Sequence, residues 1–235
     1  MADAVLLPVF NELETVACVL EAIRFFYYGT VIVVDDGSTD GTRELLAGRE
    51  DIKILSHERN LGYGRSLIDG FEYARRLGAT RILTMDCDGQ HEPQHIPEFF
   101  AALAGDVDIV SGSRYLPDSP VLGVPPPSRR EINSRITQMV NRVTGWNLTD
   151  AFCGFKAYRL EALKKLQLTE PGYAHPLELW ATSFRAGLRI RELPIARIYY
   201  RHDRSFGEAL DDPAERLVYY MQVWERTLRN GGVLR

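Results

Sequence analysis

No stretch of the sequence approaches the ~20 consecutive apolar residues of a membrane-spanning helix. The opening MADAVLLPVFNE runs straight into a strand-like segment and lacks the basic start and apolar stretch of a secretory signal. These two absences predict a cytoplasmic protein. Cysteine is scarce, and Cys18, Cys87 and Cys153 stand far apart with no CxxC pair. That spacing argues against a disulfide framework or a zinc site and predicts three reduced packing residues. There is no GxxxxGK[ST] phosphate loop and no GxGxxG dinucleotide fingerprint. Repeats and low-complexity segments are missing too. The basic residues form no patch interleaved with aromatics, so a nucleic-acid partner is not expected.

What is present fits one α/β domain. The 235 residues suffice for a single sizeable unit and are few for two, and 45% hydrophobic content supports a real core. The net charge of −4 conceals a split. Residues 1–110 carry 9 Lys and Arg against 19 Asp and Glu, whereas residues 111–235 carry 19 against 13. An acidic half suits a bound cation, and an arginine-rich half suits phosphates.

Periodicity alternates along the first half. AVLLPVF, TVIVVDD, IKILS, TRILTMD and DIVSGSRY read as five strands. Helical segments separate them; the first, NELETVACVLEAI, carries Leu13, Val16, Leu20 and Ile23 on one stripe. This order predicts a mostly parallel central sheet with helices on both faces. Ligands in such sheets bind beyond the carboxyl ends of the strands, here FNE, DDGS, DCDGQ and GSRY. In the second half, LPDSPVLGVPPPS reads as a loop. A helix follows, with Ile132, Ile136, Met139, Val143 and Trp146 along one face. LRIRELPIARIYY is strand-like but interrupted by Pro194, and a closing amphipathic helix carries Leu217, Met221, Trp224 and Leu228.

Two polar clusters carry chemistry. Asp35 and Asp36 in VVDDGSTDGT end a strand, although Asp and Ser are also ordinary turn and capping residues there. MDCDGQHEP offers Asp86, Asp88 and Gln90 as three oxygen donors within five residues, a set suited to Mg²⁺ or Mn²⁺ rather than zinc. Two acids in a solvated loop would explain an isolated pair. A pair that ends a buried strand, beside a second acidic strand end, points instead to a cation that bridges a diphosphate. His91 is a further candidate, with plain exposure as the simpler reading.

LPVFNE, VVDDGSTDGT, NLGYG, MDCDGQHEP and GSRY, in this order and spacing, resemble the family 2 glycosyltransferases of the GT-A fold. Among them the chain looks most like the polyprenol-phosphate sugar transferases of the dolichyl-phosphate mannose synthase type. The resemblance implies one transferase domain, with residues 1–115 binding nucleotide-sugar and metal and residues 116–235 binding the acceptor. It implies that Pro8, Phe10 and Glu12 lie against base and ribose and that Asp36 hydrogen-bonds the base. Asp86, Asp88 and Gln90 would hold Mg²⁺ or Mn²⁺, with Asp88 the most direct ligand. Arg114, Arg130 and Ser134 match positions that grip the acceptor phosphate, and Arg204 matches one that neutralises the donor diphosphate.

The implied reaction is inverting transfer from a GDP- or UDP-sugar to a polyprenyl phosphate at the membrane surface. A second reading has a hydroxyl acceptor with Asp150 as base, and a third is a non-catalytic nucleotide-sugar-binding protein. Glu178 is another candidate carboxylate, with pairing to an arginine in a core helix as the plainer account. Two departures from the family stand out: Asp211 and Asp212 fall where basic character is expected, and the C-terminal membrane helices of many relatives have no counterpart in this sequence. The Pro-rich loop, the helix after Arg129 and the Trp224 helix are the parts that could meet a membrane. The same parts would otherwise pack in the core or against a second copy in a homo-oligomer.

Overall fold

Alternate residues of the first strand serve two different cores. In β1 (Asp3–Val9), Ala4 and Leu6 pack on one face, and Val5, Leu7 and Val9 on the other. Side chains alternate across a strand, so a strand buried on both faces reads as one apolar run. The computed structural model describes residues 2–199 and 207–230.

The elements follow the expected alternation. After β1 come α1 (Val16–Phe26), β2 (Thr30–Asp35), α2 (Thr42–Ala47), β3 (Lys53–Ser56), α3 (Tyr63–Arg76) and β4 (Arg81–Thr84). A 3-10 turn at Pro93–His95 leads into α4 (Ile96–Ala102), followed by β5 (Ile109–Ser113), β6 (Val121–Leu122) and α5 (Pro127–Thr144). The chain continues through β7 (Lys156–Arg159), α6 (Leu160–Leu163), α7 (His175–Arg185), β8 (Ile190–Pro194) and β9 (Arg197–Ile198). It closes with α8 (Glu208–Asp211) and α9 (Pro213–Asn230).

Seven strands form one sheet in the order β3-β2-β1-β4-β7-β5-β8. Only β7 runs antiparallel, wedged between β4 and β5. β6 and β9 make a separate parallel pair. Helices α1 and α4 cover one face, where Leu20, Ile23 and Phe99 are buried. Helices α3, α5, α7 and α9 cover the other, around Phe71, Ile136, Trp180 and Trp224.

Local signals set the long helices. Pro127 begins α5, where a missing N–H costs nothing, and Gly145 ends it at φ 72° with its N–H on the Asn141 carbonyl at 2.8 Å. Three apolar stripes differ from expectation. Leu13 is exposed because the helix starts only at Val16. Met221 is exposed as well, since the buried side of α9 is set by Arg216, Tyr220, Val223, Trp224, Thr227 and Leu228. On α5, Ile132, Ile136 and Val140 are buried, while Met139, Val143 and Trp146 only flank the core. Cys18 is also exposed, on the outer side of α1, whereas Cys87 and Cys153 are buried.

Candidate active site

The carboxyl ends of β1, β2, β4 and β5 open onto one cleft of about 720 Å³. Pro8, Phe10, Glu12, Asp36, Asp86, Asp88, Gln90 and Arg114 all line it. The residues assigned to donor and cation thus share one wall, apart from Arg204, which lies outside the described residues.

Two of the motifs form a single structure. Asn11 adopts φ 55°, a left-handed conformation that Asn tolerates better than most residues. Its N–H donates to Ser38 Oγ at 2.9 Å, and its Oδ1 accepts the Thr39 N–H at 2.9 Å. The Glu12 N–H donates to Thr42 Oγ1 at 3.0 Å, and the Leu13 N–H to Asp40 Oδ2 at 3.1 Å. This lacing holds FNE against GSTDGT and leaves Phe10 44% exposed on the cleft wall.

The acid pair of β2 divides its work. Asp35 is wholly buried, pairs with Arg43 at 2.7 Å and accepts the Ser38 N–H. Asp36 accepts the N–H groups of Leu61 and Gly62, each at 2.8 Å, and its Oδ1 lies 2.6 Å from His57 Nδ1. Both carboxylate oxygens are therefore already used, although a carboxylate oxygen can accept more than one bond. Asp36 lines the cleft and at the same time fastens the NLGYG loop that leads into α3. That loop needs its glycines, because a Cβ on Gly64 would sit 2.2 Å from the Glu170 carbonyl oxygen.

Asp86 is held from three sides. The Tyr63 hydroxyl donates to its Oδ1 at 3.0 Å, and its own N–H donates to His91 Nδ1 at 3.0 Å. Burial and the Asp86 charge push the Tyr63 phenol well above its ordinary range, so it remains a donor. His91 is buried and packs edge-on against Phe155, which corrects the expectation of an exposed loop histidine. The third side is Gly154, where a Cβ would fall 2.4 Å from Asp86 Oδ2. Gly154→Ala is accordingly expected to displace the carboxylate and lower kcat/KM by on the order of 10²-fold with little change in Tm. Steady-state kinetics beside a melting curve checks this. Asp88 Oδ1 accepts the Gln90 N–H at 2.9 Å, which turns the chain out of the sheet.

Arg114 and Asp150 form the floor. Nε and Nη2 of Arg114 donate to Asp150 at 2.6 and 2.9 Å, and its backbone N–H adds a third bond at 3.2 Å. Asn133 Nδ2 donates to Asp150 Oδ1 at 2.7 Å. Burial would raise the Asp150 pKa, but Arg114 and these donors outweigh it and lower it to about 2. A buried, fully bonded carboxylate of that acidity is a poor base. The expectation of Asp150 as a catalytic base is corrected to a positioning role, since it aims Arg114. Beneath it the Lys156 ammonium donates to the Cys153 carbonyl and stands 5.3 Å over the Trp180 ring. The Trp180 indole N–H donates to the Ala151 carbonyl at 2.8 Å, tying α7 to the same floor.

The far wall comes from residues the sequence reading passed over. Arg129, Ile132 and Asn133 of α5 line the cleft, with Tyr173, Tyr199, and Arg216 and Tyr220 of α9. Tyr173 stacks on Tyr63 at 5.9 Å between ring centroids. Arg130 and Ser134 do not line this cleft. They border a separate depression of about 510 Å³ with Val124, Pro125, Pro127 and Arg197. Helix geometry explains this: positions 129, 132 and 133 share a face, and 130 and 134 lie about 100° round from it. Among the described residues Glu178 pairs with no arginine; it accepts the N–H groups of Thr169 and Glu170, each at 2.7 Å, and the Thr169 hydroxyl.

Asp86, Asp88 and Gln90 form an all-oxygen set at the cleft, chemically matched to Mg²⁺ or Mn²⁺. Among the described residues no three His, Cys, Asp or Glu side chains gather to hold a metal by themselves. Such a partial set fits an ion that keeps places for phosphate oxygens and water.

A family model described as glycosyl transferase family 2 matches residues 4–167. A polyprenol monophosphomannose synthase from Mycolicibacterium smegmatis is 29% identical over 201 residues, 81% of this chain and 75% of the relative. An undecaprenyl-phosphate mannosyltransferase from Micrococcus luteus is 31% identical over 212 residues, 87% of this chain and 85% of the relative. Among solved structures, glucosyl-3-phosphoglycerate synthase from Mycobacterium tuberculosis superposes with a TM-score of 0.70 at 21% identity, covering 100% of this chain and 81% of that one. That crystal held Mn²⁺, uridine diphosphate and glucosyl-3-phosphoglycerate. At this identity the superposition speaks for the fold.

Proposed function

The chain belongs to glycosyl transferase family 2 and has the GT-A fold, and from that premise we propose that it moves a sugar from a GDP- or UDP-sugar to a polyprenyl phosphate. The observation that carries the reading is one cleft lined by strand-end acids on one side and arginines on the other. The names of the two mannosyltransferase relatives support the acceptor class.

The loop locked between Asn11 and Thr42 presents Phe10 to the base, with Pro8 and Glu12 beside it. Asp86, Asp88 and Gln90 would hold Mg²⁺ or Mn²⁺, which when bound supplies positive charge to the donor diphosphate. An oxygen of the acceptor phosphate attacks the anomeric carbon from the side opposite the diphosphate. The new carbon–oxygen bond forms as the old one breaks, configuration inverts, and the nucleoside diphosphate leaves. No protein base is required, because a phosphate monoester with a second pKa of about 6 is already largely ionised at neutral pH. Arg114, fixed by Asp150, contributes charge near the departing group. Arg204 is proposed for the same task.

Release of nucleoside diphosphate tests the reading. It is expected only with polyprenyl phosphate present, to stop when EDTA removes divalent ions, and to resume with added Mn²⁺ or Mg²⁺. Equal release with polyprenol, the same chain bearing a hydroxyl, would overturn the phosphate acceptor. Release that ignores EDTA would overturn the cation.

A further inference from the structure

His57 is buried just past the end of β3 and has no part in the mechanism above. Its backbone is fixed on both sides. The His57 N–H donates to the Asp35 carbonyl at 2.9 Å, and its own carbonyl accepts Nη2 of Arg43 at 2.6 Å. The ring stands between two carboxylates: Nδ1 lies 2.6 Å from Asp36 Oδ1, and Nε2 lies 3.2 Å from Asp69 Oδ2 on α3. Asp69 is held in turn by Arg65, whose Nε and Nη2 donate to it at 2.7 and 2.6 Å.

The two sides of the ring differ. An ionised carboxylate only accepts, so the nitrogen 2.6 Å from Asp36 carries a proton and donates it. Nε2 is buried at ion-pair distance from Asp69 but lacks the geometry of a hydrogen bond. Asp69 therefore acts on the ring through its charge, and the directed bond is the one to Asp36.

That bond decides what Asp36 can offer the cleft. Among the described residues, Oδ1 accepts from His57 and from the Leu61 N–H, whereas Oδ2 accepts only the Gly62 N–H. Asp36 lines the cleft, and Oδ2 keeps the spare capacity for a donor that enters there. The plane of the carboxylate is set before any ligand arrives, which lowers the cost of ordering it on binding.

We infer that His57 is a positioning residue for nucleotide recognition: it fixes the Asp36 carboxylate so that Oδ2 accepts the ring N–H of the donor's base. The inference rests on the transferase reading for its ligand. It makes base recognition depend on a side chain behind the cleft wall.

Calorimetric titration with Mn²⁺ present tests it, using UDP, GDP, N3-methyl-UDP, N1-methyl-GDP and inorganic pyrophosphate as probes. The wild type is expected to bind UDP or GDP more tightly than the methylated form, which lacks the ring N–H. His57→Leu should weaken that nucleotide by about tenfold to a hundredfold and bring it level with its methylated form. Pyrophosphate, which has no base, should stay within about twofold. His57→Asn returns a donor near the Nδ1 position and should recover most of the loss. A merely structural role would weaken pyrophosphate as well, because the loop that Asp36 fastens carries Tyr63 and through it Asp86.

Asp69→Asn, on a partly exposed side chain, keeps the test valid if His57→Leu fails to fold. It removes the charge behind the ring and should give a smaller loss of the same pattern. Unchanged discrimination against the methylated base in folded variants, with nucleotide still bound, would overturn the inference and leave the transferase reading standing. Equal loss of nucleotide and pyrophosphate would overturn it as well. His57-dependent discrimination without sugar transfer to polyprenyl phosphate would uphold the inference and remove the transferase reading.

Discussion

Asp88→Ala is expected to lower kcat/KM by on the order of 10³-fold while leaving the melting temperature nearly unchanged. Asp88 stands beyond the end of β4, half-buried at the cleft, and its Oδ1 accepts the Gln90 N–H two residues on. Asp88 lies on the cleft wall and belongs to neither apolar core, so the loss expected from the variant is that of the charge proposed for the cation. Asp88→Asn keeps the turn-forming oxygen but removes the charge, so it should lose nearly as much activity. The pair of variants separates charge from shape. A protein that only binds nucleotide-sugars would show reduced affinity in both variants and no turnover in the wild type. Steady-state kinetics with a nucleotide-binding titration measures the difference.

Asp150→Asn is expected to destabilise the protein by about 3–5 kcal/mol, because it leaves the Arg114 charge buried without its counterion. For a chain of this size that corresponds to a fall in Tm on the order of 10 °C. Activity should fall as well, since Arg114 keeps at most one of the two side-chain bonds that aim it. Acid provides an independent check. The folded pKa of Asp150 is lowered from 3.8 to about 2, so its stabilising contribution is present above about pH 4 and is lost as pH falls through about 2. That contribution is of the order of 2 kcal/mol. The stability gap between wild type and Asp150→Asn should therefore narrow between pH 5 and pH 2, as followed by urea unfolding at fixed ionic strength. A constant gap would mean that the ion pair is not what Asp150 provides.

Much of the strand-end wall of the cleft was legible in the sequence because its determinants are local. Strand-end acids, the glycines of NLGYG and the alternation of β1 through β5 lie within short windows, and the sheet gathers the windows on one edge. Asp36 shows the limit of this reasoning. Its position at the cleft was foreseeable, but its acceptance of two loop N–H groups required Leu61 and Gly62, some 25 residues away, to be placed against it. Asp150 repeats the point, since only the fold brings it to Arg114, from 36 residues away.

The far wall of the cleft was harder to read because helical phase decided it. One position along α5 exchanges Arg130 for Arg129 at the cleft, and no motif marks which of two adjacent arginines turns inward. The spacing of Ile132 and Ile136 carried that information, since Arg129 and Asn133 flank the same face. β7 escaped notice because a strand of four residues, Lys156–Arg159, gives too few alternations to register. Its burial between β4 and β5 nonetheless sets the floor, through Gly154 beneath Asp86 and Lys156 beneath the Asp150 loop.

The most direct measurement follows the sugar itself. Purified protein is incubated with Mn²⁺, polyprenyl phosphate and, in separate reactions, GDP-mannose, UDP-glucose and UDP-N-acetylglucosamine carrying a labelled sugar, and the organic phase is counted. The account predicts that label from at least one donor enters the organic phase, and that the counts disappear with Asp88→Ala. Label that remains in the aqueous phase with every donor, while the nucleotides still bind, would contradict it.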